Sequence, residues 1–361
     1  MPGWRASIQR VLVCGTLLAL TAAAHAQSAR YVSSGGSDAN ACTRSAPCLT
    51  LQRGVDATPT GGLLQVLDTG AYGSATIVRS ITISGDGVSA GVGRITINAT
   101  TIRVVLRGLL LNGTVGGNGI TISAATSVHI VRCEIERFTN GILLSSAGIV
   151  ELFVTDSIVR NNNFDGLVVT TVAQERPRIV VEGSRFENNG SDGLSISNGQ
   201  TSISRTIVSG NRAHGIVQLG NASNSAIVNT MVASNSGDGI RQAGGNMDIA
   251  LTTSSVNGAN GYNATSGSMM TATATTATGN VGHGYAASGG FVKIDSSTSS
   301  NNVGSGLLVT GAAVVSNSMF TGNFGPGIRN DGTTHTRGNN TIIGNGGGDT
   351  AGFALTPLTG K

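Results

Sequence analysis

The chain has 361 residues, of which 39% are hydrophobic, 11% charged and 4% aromatic, with 54 Gly and a formal net charge of +4. The basic residues are Arg apart from Lys293 and Lys361, and none forms the run that nucleic acid requires, which excludes nucleic acid as an expected partner. Few aromatic faces are available either, since the single Trp, Trp4, falls in the first segment.

Residues 1–26 carry Arg5 and Arg10, an apolar run from Val11 to Leu20, and small residues ending in Ala24-His25-Ala26. This is the layout of a secretory signal peptide, with cleavage expected near Ala26 and a secreted or periplasmic product. The apolar run is too short to span a bilayer, and no later stretch approaches the roughly 20 apolar residues that a spanning helix needs. Cys42 and Cys48 lie close together in a Gly/Ser/Asn-rich loop, so an oxidising compartment favours a local disulfide between them. Cys133 has no sequence neighbour to pair with, and its place in the repeat described below predicts a buried, inert thiol.

Residues 27–85 read as an entry segment. Tyr31-Val32 predicts a strand, the stretch from Pro47 to Asp56 with Leu49, Leu51 and Val55 predicts a capping helix, and Leu63–Leu67, Gly70-Ala71-Tyr72 and Ile81-Thr82-Ile83 predict the first coils.

Residues 86–345 hold a repeat. A Gly followed by an apolar or Tyr residue recurs ten times from Gly119-Ile120 to Gly327-Ile328, at spacings of 21 to 27 residues. Four residues before each of the last eight stands an Asn, from Asn162 to Asn323, and nine residues before stands a Ser or Thr, from Ser157 to Ser318. Two positions after the hydroxyl comes a mostly apolar residue (Val159, Phe186, Val208, Val232). Period-2 alternation puts those last two columns on one side of a strand, taken as the interior. A coil of this length closes as three short strands and stacks on the next, about 4.8 Å away. Asn is expected in a turn, where it tolerates left-handed backbone and can bond the next Asn. Gly is expected where the chain turns tightly. A leucine-rich repeat is excluded, because one Leu, Leu251, lies between Gly244 and Gly306. The fold class is therefore all-β: a right-handed parallel β-helix of about 10–12 coils with an N-terminal capping helix. Residues 346–361 break the pattern, and Phe353, Leu355 and Leu358 are expected to cover the last coil.

The segment from Ala29 to Gly87, with "RYVSSGGSDANAC", "GGLLQVLDTGAY" and "ITISGDG", resembles the entry segment of the pectate-lyase-like β-helix superfamily. The Asn…Gly-Ile/Leu coils resemble the generic repeat of that superfamily. The resemblance implies fold and not activity, since lyases, hydrolases, epimerases and phage tailspikes share it. Gly282-His283-Gly284 echoes a motif of polygalacturonases, but their paired-Asp and Arg-Ile-Lys motifs and the Asp-Pro-His-Asp of alginate epimerases have no counterpart here.

The residue before each repeat Gly forms a column whose middle reads Asp165, Asp192, His214 and Asp238. Adjacent rungs would hold Asp165 and Asp192 about 5 Å apart, and Asp192 and Asp238 about 9 or 10 Å apart, separations that suit retaining and inverting glycoside hydrolysis respectively. His214 between them is a candidate proton carrier. The competing reading is that Asp-Gly and Asn-Gly are favoured turn dipeptides and the column needs no substrate. Between Ala243 and Ile328 only Asp248, Lys293 and Asp295 are charged, which favours turn chemistry. The expectation is a non-catalytic β-helix with a structural, adhesive or weak glycan-binding role, whose partner is a polysaccharide or cell-surface glycan and which needs no cofactor. The alternative is a polysaccharide lyase, hydrolase or epimerase acting through Asp165, Asp192, His214 and Asp238 and the nearby arginines Arg160, Arg178, Arg185, Arg205, Arg212 and Arg241, with Ca2+ relevant only to a lyase.

Overall fold

The computed structural model describes residues 29–113, 116–170, 176–221 and 223–358. The expected signal peptide lies outside the described residues. Three sheets run the length of the molecule: sheet A with 15 strands, from Ala29–Val32 to Thr356–Pro357, and sheets B and C with 13 each, beginning at Gly70–Ala71 and Ala75–Ile77. One coil shows the course of the chain: Arg178–Glu182 runs in sheet A, Arg185–Glu187 in B and Leu194–Ile196 in C, before Gln200–Ser204 returns to A. Successive strands pair in parallel, Val180 on Ser202 and Phe186 on Val208. The product is a right-handed parallel solenoid of about thirteen turns. The sequence marks fewer because the coils before Asn112 carry no Asn or Gly signature; their strands are plain apolar alternations such as Ile81–Ser84 and Ile95–Asn98.

Single left-handed residues make both sharp bends of a coil. Between A and B they include Asp156 (φ +49°), Gly183 (+59°) and Arg205 (+49°); between B and C, Asn161 (+55°), Asn188 (+55°) and Gly210 (+68°). The bend residue is thus one position before the repeated Asn, which corrects the expectation that the repeated Asn itself is left-handed. That Asn points inward and is fully buried from Asn189 to Asn302. Its Nδ2 donates to the Oδ1 of the next rung: Asn189 to Asn211 at 3.0 Å, Asn211 to Asn235 at 2.9 Å, Asn235 to Asn257 at 3.0 Å. The same Oδ1 accepts the backbone N–H of the preceding rung, Asn211 N–H to Asn235 Oδ1 at 3.1 Å. The Ser/Thr column is buried as expected, and its hydroxyls bond backbone, as when Ser184 Oγ donates to Glu182 O and accepts from Ser157 N–H. A buried polar group is tolerable only when paired, and here both ladders pair it rung by rung.

The repeated Gly is required for a different reason from the one expected. Its φ is not left-handed; instead a Cβ at Gly215 would lie 2.4 Å from Val232 Cγ1, 2.6 Å from Gly239 O and 2.8 Å from Asn235 Nδ2. Neighbouring coils meet so closely there that no side chain fits. Tyr262 and Tyr285 follow two of these glycines and stack inside the core, with centroids 4.9 Å apart.

At the N-terminal end the helix Leu51–Ala57 is capped by Thr50, whose hydroxyl accepts from Arg53 N–H, and buries Leu51 and Val55; Leu49 precedes it and is exposed. Cys42 and Cys48 are disulfide-bonded, with Cα atoms 4.7 Å apart. Cys133 is buried, and that burial pushes its thiol up to about 11. At the far end Leu355 packs on the core, whereas Phe353 and Leu358 remain exposed. No helix among the described residues is long and apolar enough to cross a membrane.

Candidate functional site

The residue before the repeated Gly stands at the corner where the chain enters sheet C. From Asn140 to His283, the side chain of each such residue accepts the backbone N–H of its counterpart in the next coil. Asp165 Oδ1 takes Asp192 N–H at 2.9 Å, Asp192 Oδ1 takes His214 N–H at 2.8 Å, and His214 Nδ1 takes Asp238 N–H at 2.9 Å. Asp238 Oδ1 takes Asn260 N–H at 2.9 Å, and His283 Nδ1 takes Ser305 N–H at 2.8 Å. The column is a second ladder, outside the core. It is less open than expected: Asp238 is 3% exposed and Ser305 2%, while Asp165, Asp192 and His214 are half-buried. Stacking at coil spacing covers each side chain with the next.

Asp165, Asp192, His214 and Asp238 are therefore brought together in four successive coils. Because Nδ1 of His214 accepts an amide hydrogen, the neutral ring carries its proton on Nε2. Both Asp238 oxygens are engaged, Oδ1 by Asn260 and Oδ2 by Asn263 Nδ2 at 2.9 Å. The Asp192 carboxyl is held above its ordinary range, first by burial and then by the neighbouring Asp165 charge, against the pull of the His214 N–H.

Two further residues complete the cluster: Arg241, one of the arginines expected near the column, and Asn263, which the sequence did not single out. Arg241 and Asn263 are register partners on the outward face of sheet C. Arg241 Nη1 lies 3.3 Å from His214 Nε2. Arg241 Nε and Asn263 Oδ1 are both buried without a hydrogen-bond partner, and Asn263 as a whole is only 8% exposed. The signal for them was available: they occupy the position two after the repeated Gly, where other coils carry Leu143, Val168, Ser195, Val217 and Ala286.

Four other arginines of the middle coils are paired away from the cluster. Arg160 pairs with Glu134 and Glu136, Arg178 with Glu151, Arg185 with Glu187 and Arg205 with Glu182, all on sheets A and B. Such half-exposed pairs contribute about 0–1 kcal/mol each. Among the described residues no group of three or more His, Cys, Asp or Glu is placed to hold a metal ion.

Two surface depressions accompany the site. One of about 470 Å³ lies on sheet C in the early coils, lined by Gln52, Thr76, Arg94, Thr96, Asn118 and Thr121, and Asn118 belongs to the same column as Asp165. The other, of about 430 Å³, lies on sheet A among Arg178, Gln200, Ser202, Asn224 and Asp248. Beside it, the His129 ring stacks on Phe153 at 4.3 Å and Arg178 covers the Phe153 ring at 5.6 Å.

The family model described as right handed beta helix region matches residues 69–231 and 201–346. No curated protein sequence matches the chain. Among solved structures, the A-module of a mannuronan C-5 epimerase from Azotobacter vinelandii is 14% identical, with 83% of this chain and 91% of that one covered and a TM-score of 0.55. A pectate lyase is 17% identical over 89% of this chain and 78% of its own, with a TM-score of 0.46. At these identities the likeness is one of fold. With three parallel sheets, an interior Asn ladder and a family match across most of its length, the chain belongs to the right-handed beta helix family.

Proposed function

We propose that the protein binds a polysaccharide along the outward face of sheet C and does not cleave it. The observation that carries this reading is the commitment of the candidate catalytic groups to the fold. Two of the four are committed most fully: His214 Nδ1 takes Asp238 N–H, and Asp238, 3% exposed, accepts from Asn260 and Asn263, so neither is placed to take a proton from a substrate. Binding is supported by the polar depression on sheet C lined by Gln52, Arg94, Thr96, Asn118 and Thr121. Export to an oxidising compartment belongs to this reading; the disulfide between Cys42 and Cys48 and the sequence of residues 1–26 support it. The test is a screen of the purified protein against neutral and acidic polysaccharides for retention together with release of reducing ends or unsaturated products. Retention without product is the expected result; product from any of them rejects the non-catalytic reading.

A second reading has one observation in its favour. Asp192, whose carboxyl is held above its ordinary range by burial and by the neighbouring Asp165, has the direction of shift that suits a general acid, and the epimerase of like fold is named for action on mannuronan. Under it, Asp192→Asn removes activity while leaving the fold intact. A calcium-dependent lyase fits less well, since the carboxylates of the described residues do not gather into a metal-holding group.

A further inference from the structure

We infer that the depression beside the N-terminal cap takes an acidic sugar residue, its carboxylate or sulfate held by Arg94. The inference rests on the glycan-binding reading above and gives that reading a substrate class. Thr76, Thr96 and Thr121 are register partners in successive strands of sheet C. They face outward, alternating with buried residues such as Ile95, Ile97, Ile120 and Ile122, and form the floor of the depression. The row spans two coil steps, about 10 Å. Gln52 of the capping helix lines one side, and its amide is committed to the fold: Oε1 accepts Thr76 N–H at 2.7 Å and Nε2 donates to Asp56 Oδ1 at 2.9 Å. The hydroxyls of Thr76 and Thr96 make no hydrogen bond among the described residues, so they are open to a ligand.

Arg94 is the one charged side chain among the lining residues, and it is exposed. Arg107 and Arg132 share Asp86, and Arg160 takes Glu134 and Glu136, but Arg94 has no carboxylate partner among the described residues. Its side chain makes one hydrogen bond there, from Nη1 to Gly116 O, long at 3.5 Å. Gly117 sets where the guanidinium lies: a Cβ at that position would stand 2.6 Å from Arg94 Nη1 and 3.2 Å from Cδ, so the arm crosses bare backbone. Gly117 is itself pinned, its N–H donating to Thr139 Oγ1 at 2.8 Å and its carbonyl accepting Thr139 N–H at 2.7 Å. An oxyanion thus meets a positioned guanidinium whose Nε and Nη2 are unengaged, the fork that takes two oxygens at once. Acidic and neutral sugars bring the same hydroxyls to the threonines, so selection comes from charge alone. No carboxylate lines the depression to oppose an anion. Asp56 is bonded to the Gln52 amide, and Asp165, the first acid of the corner column, stands two coils beyond Asn118, about 10 Å or one screening length away. The preference expected is about fivefold in affinity, the upper end for an ion pair open to solvent.

Calorimetric titration of the purified protein with matched hexamers tests the inference: galacturonate against its methyl ester, β-1,4-linked mannuronate against mannose, and sulfated against unsulfated galactose. At least one acidic hexamer is expected to bind about fivefold more tightly than its uncharged counterpart at low salt, and added salt should close the gap. The uronate and sulfate pairs tell which oxyanion the site takes. Arg94→Gln should abolish the preference while leaving the uncharged hexamer bound as before, with thermal unfolding unchanged because the side chain is exposed. Arg212→Gln, which removes an exposed arginine from the same corner of a later coil, should leave the preference intact. Uncharged hexamers that bind as tightly as their acidic counterparts in all three pairs overturn the inference while leaving glycan binding in place. So does a preference that survives Arg94→Gln, or one that Arg212→Gln removes as well. If no hexamer of either kind binds, the glycan-binding reading falls with it.

Discussion

A β-branched side chain in left-handed backbone crowds its own peptide group, yet Val256 sits at φ +55° with 62% of its surface exposed. Equivalent bends in other coils use Gly210, Gly279 and Gly322. Replacing Val256 by Gly removes the strain and buries nothing less, so it should stabilise the protein by about 1 kcal/mol in denaturant unfolding. Two titrating groups give opposite signatures in pH. Burial, with Arg329 nearby, holds the His283 ring below its ordinary 6.5, so the folded protein keeps the ring neutral where the unfolded chain takes up a proton. Its contribution is intact above about pH 6.5 and is lost as pH falls below that value. Asp192 behaves inversely, because its raised carboxyl makes the unfolded chain the first to ionise as pH rises past 3.8. Stability present below that pH is therefore lost as pH rises through the raised value. Asp192→Asn retains the acceptor for His214 N–H and removes the charge, as Asn140 and Asn260 do in their own coils. Its melting temperature should exceed the parent's at pH 7 and converge on it near pH 4; a lower value at pH 7 would show that the Asp192 charge is a net asset to the fold.

At the level of strands and bends, the interior Asn ladder carries more than any single contact. Asn235 accepts from Asn211 twice and donates to Asn257 and Val208 O. Asn235→Ala leaves the Asn211 N–H and amide without their acceptor and should destabilise by about 3 kcal/mol or more, measured by chemical denaturation. Gly215→Ala tests close approach in place of hydrogen bonding, since the added methyl meets Val232 and the Gly239 carbonyl; about 1–3 kcal/mol is the expected loss. These elements were also the most legible in sequence. The Ser/Thr, Asn and Gly columns were visible because every coil must meet the same neighbour, and a repeated environment writes a repeated residue. The reason for each was less visible. Whether Asn189 or Asn188 takes the left-handed bend, and whether Gly215 is there for its φ or for the space it leaves, depends on where an adjacent coil sits, and spacing along one chain does not contain that. Asn263 went unmarked for a related reason: it breaks its column, and a pattern search rewards conformity.

Across the whole molecule the two halves differ. The glutamates and most of the arginines lie before Gly244, and between Ala243 and Ile328 all three charged residues, Asp248, Lys293 and Asp295, fall on sheet A. The coils between Ala243 and Ile328 are held by hydroxyl and amide ladders and by apolar packing, so added salt should act on the earlier half and, past these coils, on the Arg329–Asp331 pair. Hydrogen exchange at low and high ionic strength is expected to change protection around Arg160 and Arg205 and to leave the strands at Tyr262 and Tyr285 unaltered. Phe353, after the last strand of sheet C, and Leu358, after that of sheet A, are exposed, in contrast with the helix-covered start.

The interior ladder also bears on how such a chain changes over generations. Every rung presents to the one above it the same acceptor that it takes from the one below, and each coil meets only its two neighbours. A duplicated coil of 22 or 23 residues, such as that from Gly261 to Gly284, would arrive with its own Asn, its own hydroxyl and its own Gly, and would find both faces already matched. Length is thus the cheapest property for this lineage to alter, whereas any one rung is among the hardest to edit.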